Sequence, residues 1–133
     1  MSLQPNPANW FEIPVADLER ARHFYEAVFE VELSLSAMGP NKMASFPMEM
    51  GRAGSAGALI VGPGCEPSIA GTRVYLHVPD IEPVLARIED NGGKTRLPKT
   101  SIGHHGFMAH FEDCEGNGVG LHQAPQQLPD ACA

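Results

Sequence analysis

Between Asn9 and Val15 the side chains alternate, with Phe11, Ile13 and Val15 on one face and Trp10, Glu12 and Pro14 on the other. That is the period-2 pattern of a half-buried strand. Leu18, Ala21, Phe24, Tyr25 and Val28 then recur at helical spacing behind Asp17, whose carboxylate is placed to cap the helix start. The same order returns from Arg73. Val74, Leu76 and Val78 alternate with Arg73, Tyr75 and His77, and Ile81, Val84, Leu85 and Ile88 form a helical stripe behind Asp80. Pro83 falls in the first turn of that helix, where its missing N–H costs least, and Asn91-Gly92-Gly93 supplies a left-handed ending.

The return is a repeat. A slide of 63 positions lays Val15-Ala16-Asp17-Leu18-Glu19 onto Val78-Pro79-Asp80-Ile81-Glu82, and Glu26 onto Glu89. Three shorter strands are expected after each helix: Val31–Ala37, Met43–Met48 and Gly57–Val61 in the first half, Thr95–Lys99, Phe107–Asp113 and Gly118–Gln123 in the second. Glu115-Gly116-Asn117-Gly118 reads as the turn before the last strand. The chain thus divides into modules at about 9–61 and 71–123, a linker over 62–70 and a C-terminal tail over 124–133. With 133 residues, 43% of them hydrophobic, there is room for one modest core, so the whole of 1–133 is expected to be a single domain.

Charge narrows the partners. Nine basic against sixteen acidic residues give a net charge of -7, which speaks against a nucleic-acid partner. No apolar run is long enough to span a bilayer, and the polar start from Met1 to Asn9 lacks the apolar segment of a signal peptide. Cys65, Cys114 and Cys132 are odd in number and without metal-type spacing. A cytoplasmic protein with reduced thiols and no membrane association is expected.

The stretches Asn9-Trp10-Phe11-Glu12-Ile13-Pro14-Val15, Phe24-Tyr25, Phe46-Pro47-Met48 and Glu115-Gly116-Asn117-Gly118-Val119-Gly120-Leu121-His122 resemble one branch of the vicinal-oxygen-chelate superfamily. That superfamily comprises the glyoxalase, bleomycin-resistance and dioxygenase-like proteins. The resemblance covers about Asn9 to Gln123 and implies an α+β fold in which two βαβββ modules form paired curled sheets around a small-molecule cavity. It also implies a homodimer. The metal-dependent members carry ligands on the first and last strands of their modules. By motif those positions fall here on Trp10, Arg73 and Gly120, and more loosely within Gly57-Ala58-Leu59-Ile60. An indole, a guanidinium and a glycine are not metal ligands, so neither a metal nor any other cofactor is expected.

Strand alternation selects the candidate site. The helices should cover the apolar faces, which leaves Trp10, Glu12, Arg73, Tyr75 and His77 on the concave side, joined by Gly120 and His122 from the last strand. These seven are the candidate ligand-binding residues. Each also has a purely structural reading: Trp10 as packing, Glu12 and Arg73 as a buried ion pair, Tyr75 as a half-buried aromatic, the histidines as satisfied structural groups, and Gly120 as a tight spot in the sheet. His23 and His110 are read as structural, His104-His105 as an exposed loop, and Met38, Met43, Met48 and Met50 with Phe46 as core filler. Cys114 has no adjacent base to make it a nucleophile.

The leading functional expectation is a metal-independent small-molecule-binding protein. The alternative is a glyoxalase-like lyase or isomerase, either with a displaced divalent metal on Glu12, His77 and His122 or with those three residues as acid–base candidates for catalysis. A dimeric scaffold with a collapsed cavity is the third reading.

Overall fold

A computed structural model describes residues 2–125, so most of the expected tail, and Cys132 with it, lies outside the described residues. The first module runs β1 (Trp10–Pro14), α1 (Leu18–Phe29), β2 (Ser34–Met38), β3 (Asn41–Ser45) and β4 (Ala56–Val61). The second runs β5 (Tyr75–His77), α2 (Ile81–Asp90), β6 (Lys94–Ser101), β7 (Phe107–Glu112) and β8 (Gly118–Gln123), with a single 3-10 turn at Gly103–His105. The fold is α+β with two four-stranded mixed sheets, ordered β1-β4-β3-β2 and β5-β8-β7-β6. In each, the first strand lies parallel to the last, and the remaining neighbours are antiparallel. Neither sheet closes into a barrel.

The expected helical stripes are the buried ones. Ala21, Phe24, Tyr25 and Val28 of α1, and Ile81, Val84, Leu85 and Ile88 of α2, pack into one continuous core with Ile13, Leu59, Ala109, Phe111, Val119 and Leu121. This core crosses the repeat: Phe24 and Phe29 of the first module both meet the ring of Phe111 in the second. Burying aromatics of this size contributes the largest share of the apolar driving force. The two modules are therefore held together through their helices and convex faces.

Several local expectations need correction. Asp17 caps α1 by accepting from the Arg20 N–H at 3.1 Å, but the Asp80 side chain makes no cap bond. The Gln123 Oε1 of β8 takes the Ile81 N–H instead, at 2.9 Å, so the need for a cap is met from a neighbouring strand. β2 and β3 start at Ser34 and Asn41, later and earlier than the expected Val31 and Met43, because Met38-Gly39-Pro40 leaves only a tight turn between them. The methionine run is core filler only in part: Met43 is buried and Phe46 packs against the core, whereas Met38, Met48 and Met50 are exposed. The linker is no loose tether either. The Ser68 N–H donates to Asn117 Oδ1 at 3.0 Å and the Gly118 N–H donates to the Ser68 carbonyl at 3.2 Å, pinning it beside β8.

Candidate functional site

Pleating puts Tyr75 opposite Gly120, and Gly120 opposite His110, on the face of the second sheet away from the helices. One step along, His77 faces His122, which faces Met108. Ala109 and Phe111 point into the core, so their neighbours on β7 have to emerge on this side. Gly120 is what lets the aromatic lie down: a Cβ there would run into the Tyr75 ring. The close approach at this glycine is therefore made by a side chain of the protein itself.

Tyr75 Oη lies 2.7 Å from His110 Nε2, and an Arg73 guanidinium nitrogen lies 3.5 Å from the same atom. A guanidinium can only donate, so Nε2 carries the lone pair, the Tyr75 hydroxyl donates to it as well, and the ring proton sits on Nδ1. Burial first, and the nearby Arg73 cation second, lower the His110 pKa. His110 is thus a neutral acceptor in a cluster with Tyr75 and Arg73, a role that a purely structural reading misses.

A cavity of about 360 Å³ opens between the two modules. Trp10 and Glu12 of β1 line it from one side, and Thr72, Arg73 and Val74 from the other. Within it the Trp10 indole N–H donates to Glu12 Oε2 at 3.3 Å. Glu12 and Arg73 share this cavity without forming a buried ion pair, since Glu12 is engaged by the indole and Arg73 is drawn toward His110. Among the described residues Arg73 has no carboxylate partner. The candidates therefore fall into two groups. Trp10, Glu12 and Arg73 share the inter-module cavity, with Tyr75 linked to Arg73 through His110. His77 and His122 stand farther along β5 and β8, their Nδ1 atoms 3.4 Å apart, and His77 lines a different cavity with Lys99 and Phe107.

The positions that hold metal in the metal-dependent relatives do not fit one here. Trp10 and Arg73 offer no lone pair to a cation, Gly120 has no side chain, and none of Gly57, Ala58, Leu59 and Ile60 carries a ligating group. Nor do Glu12, His77 and His122 converge: among the described residues no three histidine, cysteine, aspartate or glutamate side chains group together. Cys114 stays inert, its thiol pushed up to about 12 by burial and by the adjacent Glu115.

Two further features have no signature in the repeat. Asp113 is buried and accepts from Tyr25 Oη at 2.7 Å, from Asn117 Nδ2 at 3.1 Å, and from the Glu115 and Asn117 N–H groups. Glu115 accepts from the Ala16 and Asp17 N–H groups at 2.9 and 3.0 Å and pairs with Arg20. The turn joining β7 to β8 is thereby fastened to the start of α1, and Asn117 Nδ2 also reaches the Pro14 carbonyl at 2.7 Å. These bonds set the position of β1, and with it Trp10 and Glu12, against the second module.

Comparison with known proteins agrees with this architecture. Residues 9–32 match the family described as bleomycin resistance protein-like N-terminal. A glyoxylase-like domain-containing protein of Didymella fabae is 31% identical over 115 residues, covering 80% of this chain and 84% of that protein. CFP32 of Mycobacterium bovis, which carries the name of a glyoxylase, is 28% identical over 123 residues; these cover 90% of this chain but only 46% of CFP32, so the chain spans about half of that relative. Among solved structures, TnmS3, an antibiotic-binding protein from a Streptomyces species, superposes with a TM-score of 0.64 at 24% identity, over 93% of this chain and 98% of its own.

Proposed function

The chain belongs to the glyoxalase/bleomycin-resistance family of the vicinal-oxygen-chelate superfamily, and from that membership we propose that it binds a small organic molecule through side chains and without a metal ion. The observation that carries this reading is the inter-module cavity. It is of ligand size, and Trp10, Glu12 and Arg73 present within it a flat apolar ring, an acceptor and a cation that no carboxylate among the described residues neutralises. A guanidinium in that state favours an acidic or enolic group on the ligand. The antibiotic-binding role of TnmS3, which shares the fold, agrees with a ligand-holding rather than a metal-centred protein. Among the described residues no helix is long and apolar enough to cross a membrane.

We further propose a homodimer, as the family resemblance implies. The two four-stranded sheets end in unclosed edges at β2 and β6, which a second copy would shield. A monomer in light scattering at micromolar concentration would remove this part.

One observation favours the enzymatic alternative. Tyr75 and a neutral His110 form a short hydrogen-bonded pair, an arrangement able to pass a proton to or from a bound ligand. That reading keeps the lyase or isomerase class and replaces Glu12, His77 and His122 with His110 as the base.

The test uses the chain's single tryptophan. Trp10 is accessible at the cavity, so its emission reports occupancy directly. The protein is stripped with chelator and titrated with 4-nitrobenzoate, a flat carboxylate that quenches indole. Saturable quenching is expected, weakened by about tenfold or more in Arg73→Met, the loss of one charged hydrogen bond. Absence of saturation, or saturation that appears only after a divalent metal is added, overturns the proposal.

A further inference from the structure

The His77–His122 pair lies outside the inter-module cavity, and its geometry is specific. The two imidazoles stand on neighbouring parallel strands, in register with each other, with their Nδ1 atoms 3.4 Å apart. On its other side, His122 Nε2 lies 2.8 Å from the backbone carbonyl oxygen of His105. A carbonyl only accepts, so Nε2 carries the proton and His122 Nδ1 is left as a lone pair aimed at His77. Anchoring the far nitrogen of an imidazole to a backbone carbonyl is how proteins fix the tautomer and orientation of a histidine that ligates metal.

The spacing fits the same role. With metal–nitrogen bonds of about 2.0–2.1 Å, two nitrogens 3.4 Å apart subtend roughly 110° at the ion, the tetrahedral angle. We propose that His77 and His122 form a two-imidazole site for a divalent transition ion of borderline softness, such as Ni²⁺, Zn²⁺ or Cu²⁺. The site has two protein ligands, and water or an oxygen donor completes the coordination. His77 also lines the neighbouring cavity of about 420 Å³ beside Lys99, from which such donors can approach. Because His77 is exposed, it takes up the matching tautomer at little cost. Hard cations such as Mg²⁺ and Ca²⁺ find no oxygen ligands in this pair and are not held by it. The site is independent of the small-molecule reading, since it uses neither Trp10, Glu12 nor Arg73.

The experiment is a calorimetric titration of the full chain with Ni²⁺ alone, followed by His77→Ala, His122→Ala and the double variant. One saturable site is expected. Outer partners of a ligating histidine are themselves worth about 10–100-fold in affinity, so loss of either imidazole should weaken Ni²⁺ by at least about tenfold. The double variant should be little worse than either single one, because each imidazole is useful chiefly as half of a chelate. His23→Ala, on the exposed flank of α1, should bind as the parent does. Paramagnetic broadening should fall first on the His77 and His122 ring signals. Undiminished Ni²⁺ binding in both single variants, broadening centred on other histidines, or no saturable binding by the folded parent each overturns the proposal.

Discussion

The Glu115 carboxylate meets the Arg20 guanidinium at 2.5 Å although the two residues stand 95 positions apart in the chain. One end of the contact is a turn between two strands of the second module, and the other is the first turn of α1. The same carboxylate closes the Ala16 and Asp17 N–H groups, donors that a helix start otherwise leaves open. A single side chain therefore caps one module and docks it on the other.

Glu115→Ala should destabilise the protein by about 2 kcal/mol, since it strips two backbone donors of a charged acceptor in a place with little water to replace it. Arg20 is largely exposed, so its solvation moderates the loss. In a domain of this size the melting temperature should fall by roughly 5–10 °C. A change within about 1 °C would show that the contact is decorative.

The contact also sets an acid limit. Burial would push the Glu115 carboxyl up, but Arg20 and the N–H groups of Asp17 and Ala16 outweigh it and hold the group down at about 2. A carboxyl whose folded value lies below its unfolded value adds stability that is present above the unfolded value, about 4.3, and lost as pH falls toward 2. Allowing for screening at Arg20, the gain is about 1–2 kcal/mol. Urea midpoints should therefore differ more between the parent and Glu115→Gln at pH 6 than at pH 2.5. A constant gap across that window would refute the assignment.

Tyr25 and Asp113 form the buried counterpart of that contact. Burial, then the Asp113 charge and hydrogen bond, raise the phenol well above its ordinary value, so Tyr25 should ionise only as the protein unfolds in base. Tyr25→Phe should cost about 1.5–3 kcal/mol, the worth of a bond to a charged acceptor. Asp113→Ala should cost more, about 3–5 kcal/mol, because it leaves the Tyr25 hydroxyl and two turn N–H groups without a partner. The reverse order in denaturant melts would mean that the turn reorganises without Asp113.

What could be read in the chain beforehand was whatever repeats. Phe11, Ile13 and Val15 against Trp10, Glu12 and Pro14, and the stripe Ile81, Val84, Leu85 and Ile88, follow from strand and helix periods alone, and both modules build on them. His110 was within reach of the same rule: Ala109 and Phe111 are core, so alternation along Phe107–Asp113 already sends His110 to the face of Tyr75. Asp113 and Glu115 were not. Their partners lie 88 and more positions away, and no period links a turn to a distant helix start. The exposure of Met48 and Met50 was equally hidden, since composition favours burial and only the course of the 46–55 loop decides otherwise.

The state of His110 gives the last prediction. Arg73 can only donate to Nε2, which places the lone pair there and the proton on Nδ1, with the Tyr75 hydroxyl as a second donor. Burial and the Arg73 charge lower the pKa below the ordinary imidazole value, which favours the neutral ring at pH 7. Because the unfolded ring takes its proton more readily, any stability linked to this group is present above about pH 6.5 and declines as pH falls toward the folded value. Nitrogen-15 spectra of the imidazoles should show the Nδ1–H tautomer for His110 at pH 7. Arg73→Met should raise its titration midpoint, because a neighbouring cation has gone while the burial remains. Tyr75→Phe should leave the charge state alone and loosen the tautomer preference, since it removes the 2.7 Å donor but not the cation. If the parent instead carries its proton on Nε2, the Tyr75 hydroxyl oxygen accepts it and the direction of the bond is reversed. The pair is then not the acceptor site that the acid–base reading draws on.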